Sequence, residues 1–142
     1  MIYLDTSSLL KLLIPEPESP AVHAAVMPEA EVVVSPLAEL ETLIQFRALW
    51  LGGELTAPQQ KRSLARMVEM RREKPFAFPQ LPGTAFATAI RQHLAAGRLH
   101  CRAFDRLHLA AMEELALNRL MTHDMSQAAA ARALGFEVLV PK

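Results

Sequence analysis

Residues 1–13, MIYLDTSSLLKLL, decide how this chain folds. Ile2, Tyr3 and Leu4 make an apolar run too short for amphipathic alternation, which reads as a strand buried on both faces. Asp5, Thr6 and Ser7 are residue types that open helices by accepting hydrogen bonds from orphan N–H groups, and Ser7 to Leu13 carries a dense apolar stripe. The join therefore sets a carboxylate at the C-terminal end of a strand. In open α/β sheets ligands bind outside that edge, where strand order reverses, so Asp5 is a candidate ligand or catalyst. Taken alone, an Asp before Thr-Ser-Ser is more often a helix cap, and only its company can overturn that reading.

Working outward, Pro15 and Pro17 stop the first helix, and a short second helix is expected from Ala21 to about Met27. Val32-Val33-Val34 is a β-branched run closed by Ser35-Pro36, an N-cap followed by proline at the first helical position. That helix is expected to reach Leu51, where Gly52-Gly53 ends it, and Thr56-Ala57-Pro58 opens the next, to about Lys74. Phe76 to Leu81 is a third strand confined to a sheet edge by Pro79 and Pro82. Gly83 to Ala96 reads as a helix stopped by Gly97, and the loop 98–102 leads to a helix from Asp105 to about Leu117. Arg119 to Thr122 is a strand, Asp124 caps a helix through Leu134, and Val138 to Val140 is the last strand. Strands alternating with helices predict an α/β fold with a mostly parallel five-stranded sheet and helices on both faces. No internal repeat or linker interrupts it, so one domain over 1–142 is expected.

At 142 residues the chain can bury about two thirds of its unfolded surface without staples. The single cysteine, Cys101, cannot form an internal disulfide and points to a reducing cytoplasm. No apolar run approaches the ~20 residues of a membrane span, and no basic region precedes a leader-like stretch. Fifteen basic and fifteen acidic residues leave zero formal charge, so any contact with nucleic acid must come from a local basic patch.

Asp5, Asp105 and Asp124 all stand where helices begin, and βα topology brings at least Asp5 and Asp124 to one sheet edge. Gln127, three residues past Asp124, makes a capping box the structural alternative there, and capping is also the alternative for Asp105. His108 lies at i+3 from Asp105, on the same helix face, and reads as an interior group supporting the site. A fourth acid is either Glu39 or Glu41. These lie about 200° apart on the helix and cannot serve one site. Leu37, Leu40, Ile44, Ala48 and Leu51 define one apolar face with Glu41 at its edge, while Glu39 points away beside Phe46 and Trp50. A carboxylate at a buried rim costs free energy unless a cation or donor meets it, which singles out Glu41.

Together YLDTSSLLKLLIPEPES (3–19), SPLAELETLIQFR (35–47), RAFDRLHLAA (102–111), MTHD (121–124) and AAAARALGFEVL (128–139) resemble a PIN domain, and among these a VapC-type toxin ribonuclease. The resemblance covers the whole chain. It implies a PIN-like fold and an acidic set at Asp5, Glu41, Asp105 and Asp124, with hydroxyls near the site at Thr6 and Thr122. The implied activity is metal-dependent endoribonuclease cleavage. Hard oxygen donors suit Mg²⁺ or Mn²⁺, with Asp5 central, Asp105 and Asp124 completing the metal set, and Glu41 orienting the attacking water. Also implied are a homodimer and a VapB-like antitoxin that blocks the acidic site. Lys11, Arg98, Arg102 and Arg106 surround the site in sequence and are candidate contacts to RNA phosphate. Lys61, Arg62, Arg66, Arg71, Arg72 and Lys74 crowd the fourth helix as solvated charge or a phosphate track. Two rival readings remain: a PIN module that binds RNA or a partner without cutting, and a Mg²⁺-dependent phosphoryl-transfer domain. The second is disfavoured because no Asp stands two places after Asp5 and the late strands end without a lysine.

Overall fold

The computed structural model describes all 142 residues. Along the chain run β1 (Ile2–Leu4), α1 (Thr6–Leu13), α2 (Ser19–Val26), β2 (Val32–Val34), α3 (Pro36–Leu51) and α4 (Ala57–Met70). They are followed by β3 (Phe76–Ala77), α5 (Ala85–Ala95), α6 (Ala103–Glu114), β4 (Arg119–Met121), α7 (Met125–Ala133) and β5 (Glu137–Leu139). The five strands make one sheet in the order β3-β2-β1-β4-β5, and every pairing is parallel. The order turns back at β1, so the crevice between the ends of β1 and β4 is the topological switch point.

Burial on both faces follows the two-residue alternation of a strand. Ile2, Leu4, Val32, Val34 and Met121 pack on one side with Leu9, Leu12, Val22, Phe46 and Met70 of the helices. Tyr3, Val33 and Leu120 face the other side, against Leu109 and Met112 of α6 and Ala130 and Ala131 of α7. A strand covered on both faces has no polar side, which is why β1 and β2 read as unbroken apolar runs.

Three sequence expectations change. The edge strand β3 has two residues, pairing Phe76 with Val32 and Ala77 with Val33, because the prolines beyond it cannot donate to a ladder. Helix α6 begins at Ala103, so Asp105 lies in its first turn and is no cap. On α3 the covered face is Leu37, Ala38, Thr42 and Phe46, whereas Leu40, Ile44 and Leu51 are exposed. Two apolar stripes share that helix, and the sheet takes the one containing Phe46.

Candidate active site

Asp5 stands at the C-terminal end of β1, its backbone N–H bonded to the Met121 carbonyl of β4. Its carboxylate caps α1 by accepting from Ser8 N–H at 2.9 Å, and both oxygens also accept from the Ser7 hydroxyl at 2.8 and 2.9 Å. Thr122, just past β4, donates its hydroxyl to the second oxygen at 2.5 Å. Burial pushes the Asp5 carboxyl above the ordinary carboxylate range, although the Thr122 hydroxyl, the Ser8 N–H and the charge of His108 pull it back. Only 3% of the residue meets solvent, so this is a charge held out of water and steadied by hydroxyls.

Asp124 caps α7 by accepting from Gln127 N–H at 3.0 Å, so the structural alternative for this residue is physically present. Its other oxygen meets Arg102 at 3.2 Å, and Arg102 also binds Asp105 at 3.0 Å. One exposed guanidinium thus spans two acids from different elements. Asp105 is buried without being a cap, which leaves its carboxylate to face the crevice.

Glu41 reaches the same crevice from α3. It accepts from His108 Nε2 at 2.6 Å and from the Thr6 hydroxyl at 2.9 Å. Burial pushes its carboxyl up, but the hydrogen bond and charge of His108, the Thr6 hydroxyl and the charge of Arg102 bring it below the usual range. Glu41 therefore has no proton to give, and Nε2 of His108 is the donor. Behind His108, its Nδ1 lies 2.7 Å from the Tyr3 hydroxyl, which is 2.6 Å from Ser35 Oγ. Tyr3 is fully buried and its ionisation is pushed far up by burial, so it keeps its proton. The chain Ser35–Tyr3–His108–Glu41–Thr6 fixes the glutamate by linking β1, α1, α3 and α6. Tyr3 and Ser35 were legible only as core and cap; no local pattern joins residues so far apart in sequence.

A cleft of about 240 Å³ gathers Asp5, Thr6, Glu41, Arg102, Asp105, His108, Asp124 and Gln127. The other proposed cations lie elsewhere. Lys11 is held by Glu16 at 2.5 Å and Glu18 at 2.9 Å, Arg98 does not line the cleft, and Arg106 is buried on another side of α6. Arg66 on α4 and Arg71 just past its end are paired with Glu73 and Glu39, so that basic stretch is partly neutralised. Glu39 faces outward to that ion pair and takes no part in the cleft. No three of the acids, imidazoles or thiols are drawn together into a closed ligand set, for Arg102 stands against Asp105 and Asp124. The donors themselves are nevertheless hard carboxylate and hydroxyl oxygens, and both nitrogens of the one lining histidine are engaged. Four acids facing one arginine make a site with surplus negative charge, which suits a hard dication.

The PIN domain family model matches residues 2–138. Ribonuclease VapC46 of Mycobacterium tuberculosis is 33% identical over 144 residues, spanning 99% of this chain and 97% of that protein. Among solved structures, the Mycobacterium tuberculosis toxin VapC20, which cleaves the sarcin-ricin loop, aligns with a TM-score of 0.72 at 15% identity, over 99% of this chain and 100% of that one. VapBC2 from Rickettsia felis, bound to a promoter DNA fragment, aligns with a TM-score of 0.72 at 11% identity, covering 100% of both chains. Those two structures speak for the fold, and the family match with the VapC46 relative speaks for descent. The chain belongs to the PIN domain family, on its VapC-type branch.

Proposed function

We propose that this protein is a Mg²⁺- or Mn²⁺-dependent endoribonuclease, the toxin of a VapB–VapC pair. The convergence of Asp5, Glu41, Asp105 and Asp124 on one cleft at the switch point of the sheet carries the reading. The 33% identity to a ribonuclease supports it. Asp5, Asp105 and Asp124 would hold the ion, which when bound supplies the charge that acidifies water and stabilises the departing oxygen.

The remaining work falls to the chain. Ser7 and Thr122 hold Asp5 in one orientation, and His108 and Thr6 hold Glu41 at the rim, where its carboxylate takes the proton of the attacking water. Water adds to phosphorus, the bond to the 3′ oxygen breaks, that oxygen takes up a proton from solvent at the open cleft, and the products are a 5′-phosphate and a 3′-hydroxyl. Arg102, exposed and bound only by the acids, turns to the substrate phosphate.

The partners follow from the same reading: RNA as substrate, an antitoxin as inhibitor, and a second copy meeting the exposed Leu40, Ile44 and Leu51 of α3. No helix is long and apolar enough to cross a membrane, and a cytoplasmic setting accords with RNA as substrate. Purified protein incubated with structured RNAs, in chelator and then with Mn²⁺, tests the proposal. Cleavage is expected only with metal, with 5′-phosphate ends, and Asp5→Asn should abolish it without unfolding the protein. A 2′,3′-cyclic phosphate, or cleavage unaffected by chelator, would overturn the mechanism, and binding without cutting would favour the non-cutting module.

A further inference from the structure

Two helices of this chain open with the same cap pattern and use it differently. On α4 the pattern closes: Thr56 Oγ1 accepts from Gln59 N–H at 3.2 Å, and the Gln59 side chain returns to accept from Thr56 N–H at 2.8 Å. On α7 only half of it forms. Asp124 accepts from Gln127 N–H at 3.0 Å, but the Asp124 N–H goes to Thr122 Oγ1, also at 3.0 Å, and leaves the Gln127 side chain nothing to cap. That side chain is 1% exposed and lines the acidic cleft with Asp5 and Asp124.

One end of the Gln127 amide, Oε1, lies 3.2 Å from Thr122 Oγ1, and the other end, Nε2, is buried without a partner. The protons available at Thr122 favour the reverse. A hydroxyl has one proton to give and two lone pairs to fill. The proton is committed to Asp5 at 2.5 Å whenever Asp5 is ionised, as the ligand of an ion must be. One lone pair takes the Asp124 N–H, and the second is set against an amide oxygen, which has no proton either. Turned end for end, the amide fills that lone pair with Nε2–H and disturbs no packing, since its two ends have nearly the same shape. Its oxygen is then the end that faces the cleft.

We propose that Gln127 presents Oε1 to the cleft as a neutral oxygen donor for the divalent ion, beside the carboxylates of Asp5 and Asp124. The inference rests on the metal-nuclease reading and adds to it a residue outside the four acids. A carbonyl oxygen is a hard donor of the kind Mg²⁺ and Mn²⁺ accept, and it adds no further charge to a cleft that already holds four carboxylates. A buried acceptor without a donor costs free energy in the metal-free protein, and an ion removes that cost.

Mn²⁺ titrated into the metal-free, full-length protein without RNA, and followed by calorimetry, gives the first readout. Gln127→Met keeps the length and the apolar stem but has no hard oxygen, and should weaken Mn²⁺ binding by about tenfold. Gln127→Glu also loses the N–H for Thr122 yet keeps an oxygen, and should bind Mn²⁺ at least as tightly as wild type. Equal weakening in both variants would trace the effect to the Thr122 bond and overturn the proposal, as would Gln127→Met binding Mn²⁺ as tightly as wild type. A second readout needs no variant: diamagnetic Mg²⁺ should shift the Gln127 side-chain carbonyl carbon in the ¹³C spectrum of wild type. A carbon signal indifferent to Mg²⁺, with side-chain N–H signals that move on adding inorganic phosphate, would turn the nitrogen to the cleft and overturn the proposal. Wild type that binds no Mn²⁺ would fell the metal reading and this inference together. Binding that Asp5→Asn abolishes and Gln127→Met leaves untouched would fell the inference alone.

Discussion

Glu41 and Glu39 stand two residues apart on one helix and meet opposite surroundings. Glu41 is gripped by His108 and Thr6, whereas Glu39 pairs with Arg71 at the surface. A proton acceptor at the rim of the cleft is worth roughly 10²- to 10⁴-fold in rate. Steady-state cleavage by Glu41→Gln should fall by about that factor, while Glu39→Gln should stay within about twofold, because an exposed ion pair contributes about 1 kcal/mol or less to stability. Equal losses would remove Glu41 from the mechanism. Behind it, Tyr3→Phe takes a hydrogen-bond partner from the buried Nδ1 of His108. Thermal melting should report a loss of about 1–3 kcal/mol, and cleavage should fall by about tenfold as Glu41 loosens. Unchanged activity at lowered stability would make Tyr3 a packing residue only.

Among the elements, α6 carries the division of labour, and its start at Ala103 decides what Asp105 is. A residue inside the first turn adds little to capping, so Asp105→Asn should leave the melting temperature within about 2 °C while weakening Mn²⁺ binding in calorimetric titration. Arg102 offers the complementary test. It bridges Asp105 and Asp124 in the resting protein, so Arg102→Gln should tighten Mn²⁺ binding severalfold and slow RNA cleavage, two changes of opposite sign. Weaker metal binding in that variant would mean the arginine organises the acids, contrary to the view that it competes for them. The same elements show what sequence could and could not convey. Ile2-Tyr3-Leu4 and Val32-Val33-Val34 announced a doubly covered sheet, and the residue types after them announced helices that begin at the site. Leu40, Ile44 and Leu51 recur at helical spacing as core residues do, yet they are exposed, since periodicity cannot say which of two stripes the sheet covers. The helix face that singles out Glu41 in the sequence is the exposed one, so burial does not select it and the resemblance to the family alone points to it; what distinguishes it in space is His108, 67 residues away, a pairing that exists only after the sheet is built. Arg106 likewise sits beside Asp105 in sequence and opens on a different pocket in space.

At the scale of the whole molecule, the buried acid makes the metal-free fold sensitive to pH in a definite direction. Desolvation raises the folded-state pKa of Asp5 above its unfolded value, against the opposing hydroxyl and N–H bonds. A raised carboxyl contributes stability that is fully present below the unfolded pKa and is lost as pH rises through the folded one. Glu41 and Glu29 run the other way. Burial opposes it, but His108 and Arg119 respectively lead the groups that lower them, so their contribution is present above the unfolded pKa and fades as pH falls through the folded value. The raw stability curve mixes these opposing windows, and a difference between two proteins separates them. Asn at position 5 keeps an oxygen for the Ser8 N–H but carries no charge, resembling protonated Asp5 at every pH. In chelator, Asp5→Asn and wild type should therefore melt together at acid pH. The variant should pull ahead as pH climbs through the folded-state pKa of Asp5 and hold its lead at neutrality. Mn²⁺ should then reverse the order, because an ion at ~100 times its dissociation constant stabilises wild type by about 2.7 kcal/mol, while the variant, short of one charged ligand, gains less. Scanning calorimetry across pH 3 to 8 decides it: a difference that is flat with pH would mean that Asp5 is satisfied by its hydroxyls and bears no strain for a cation to relieve.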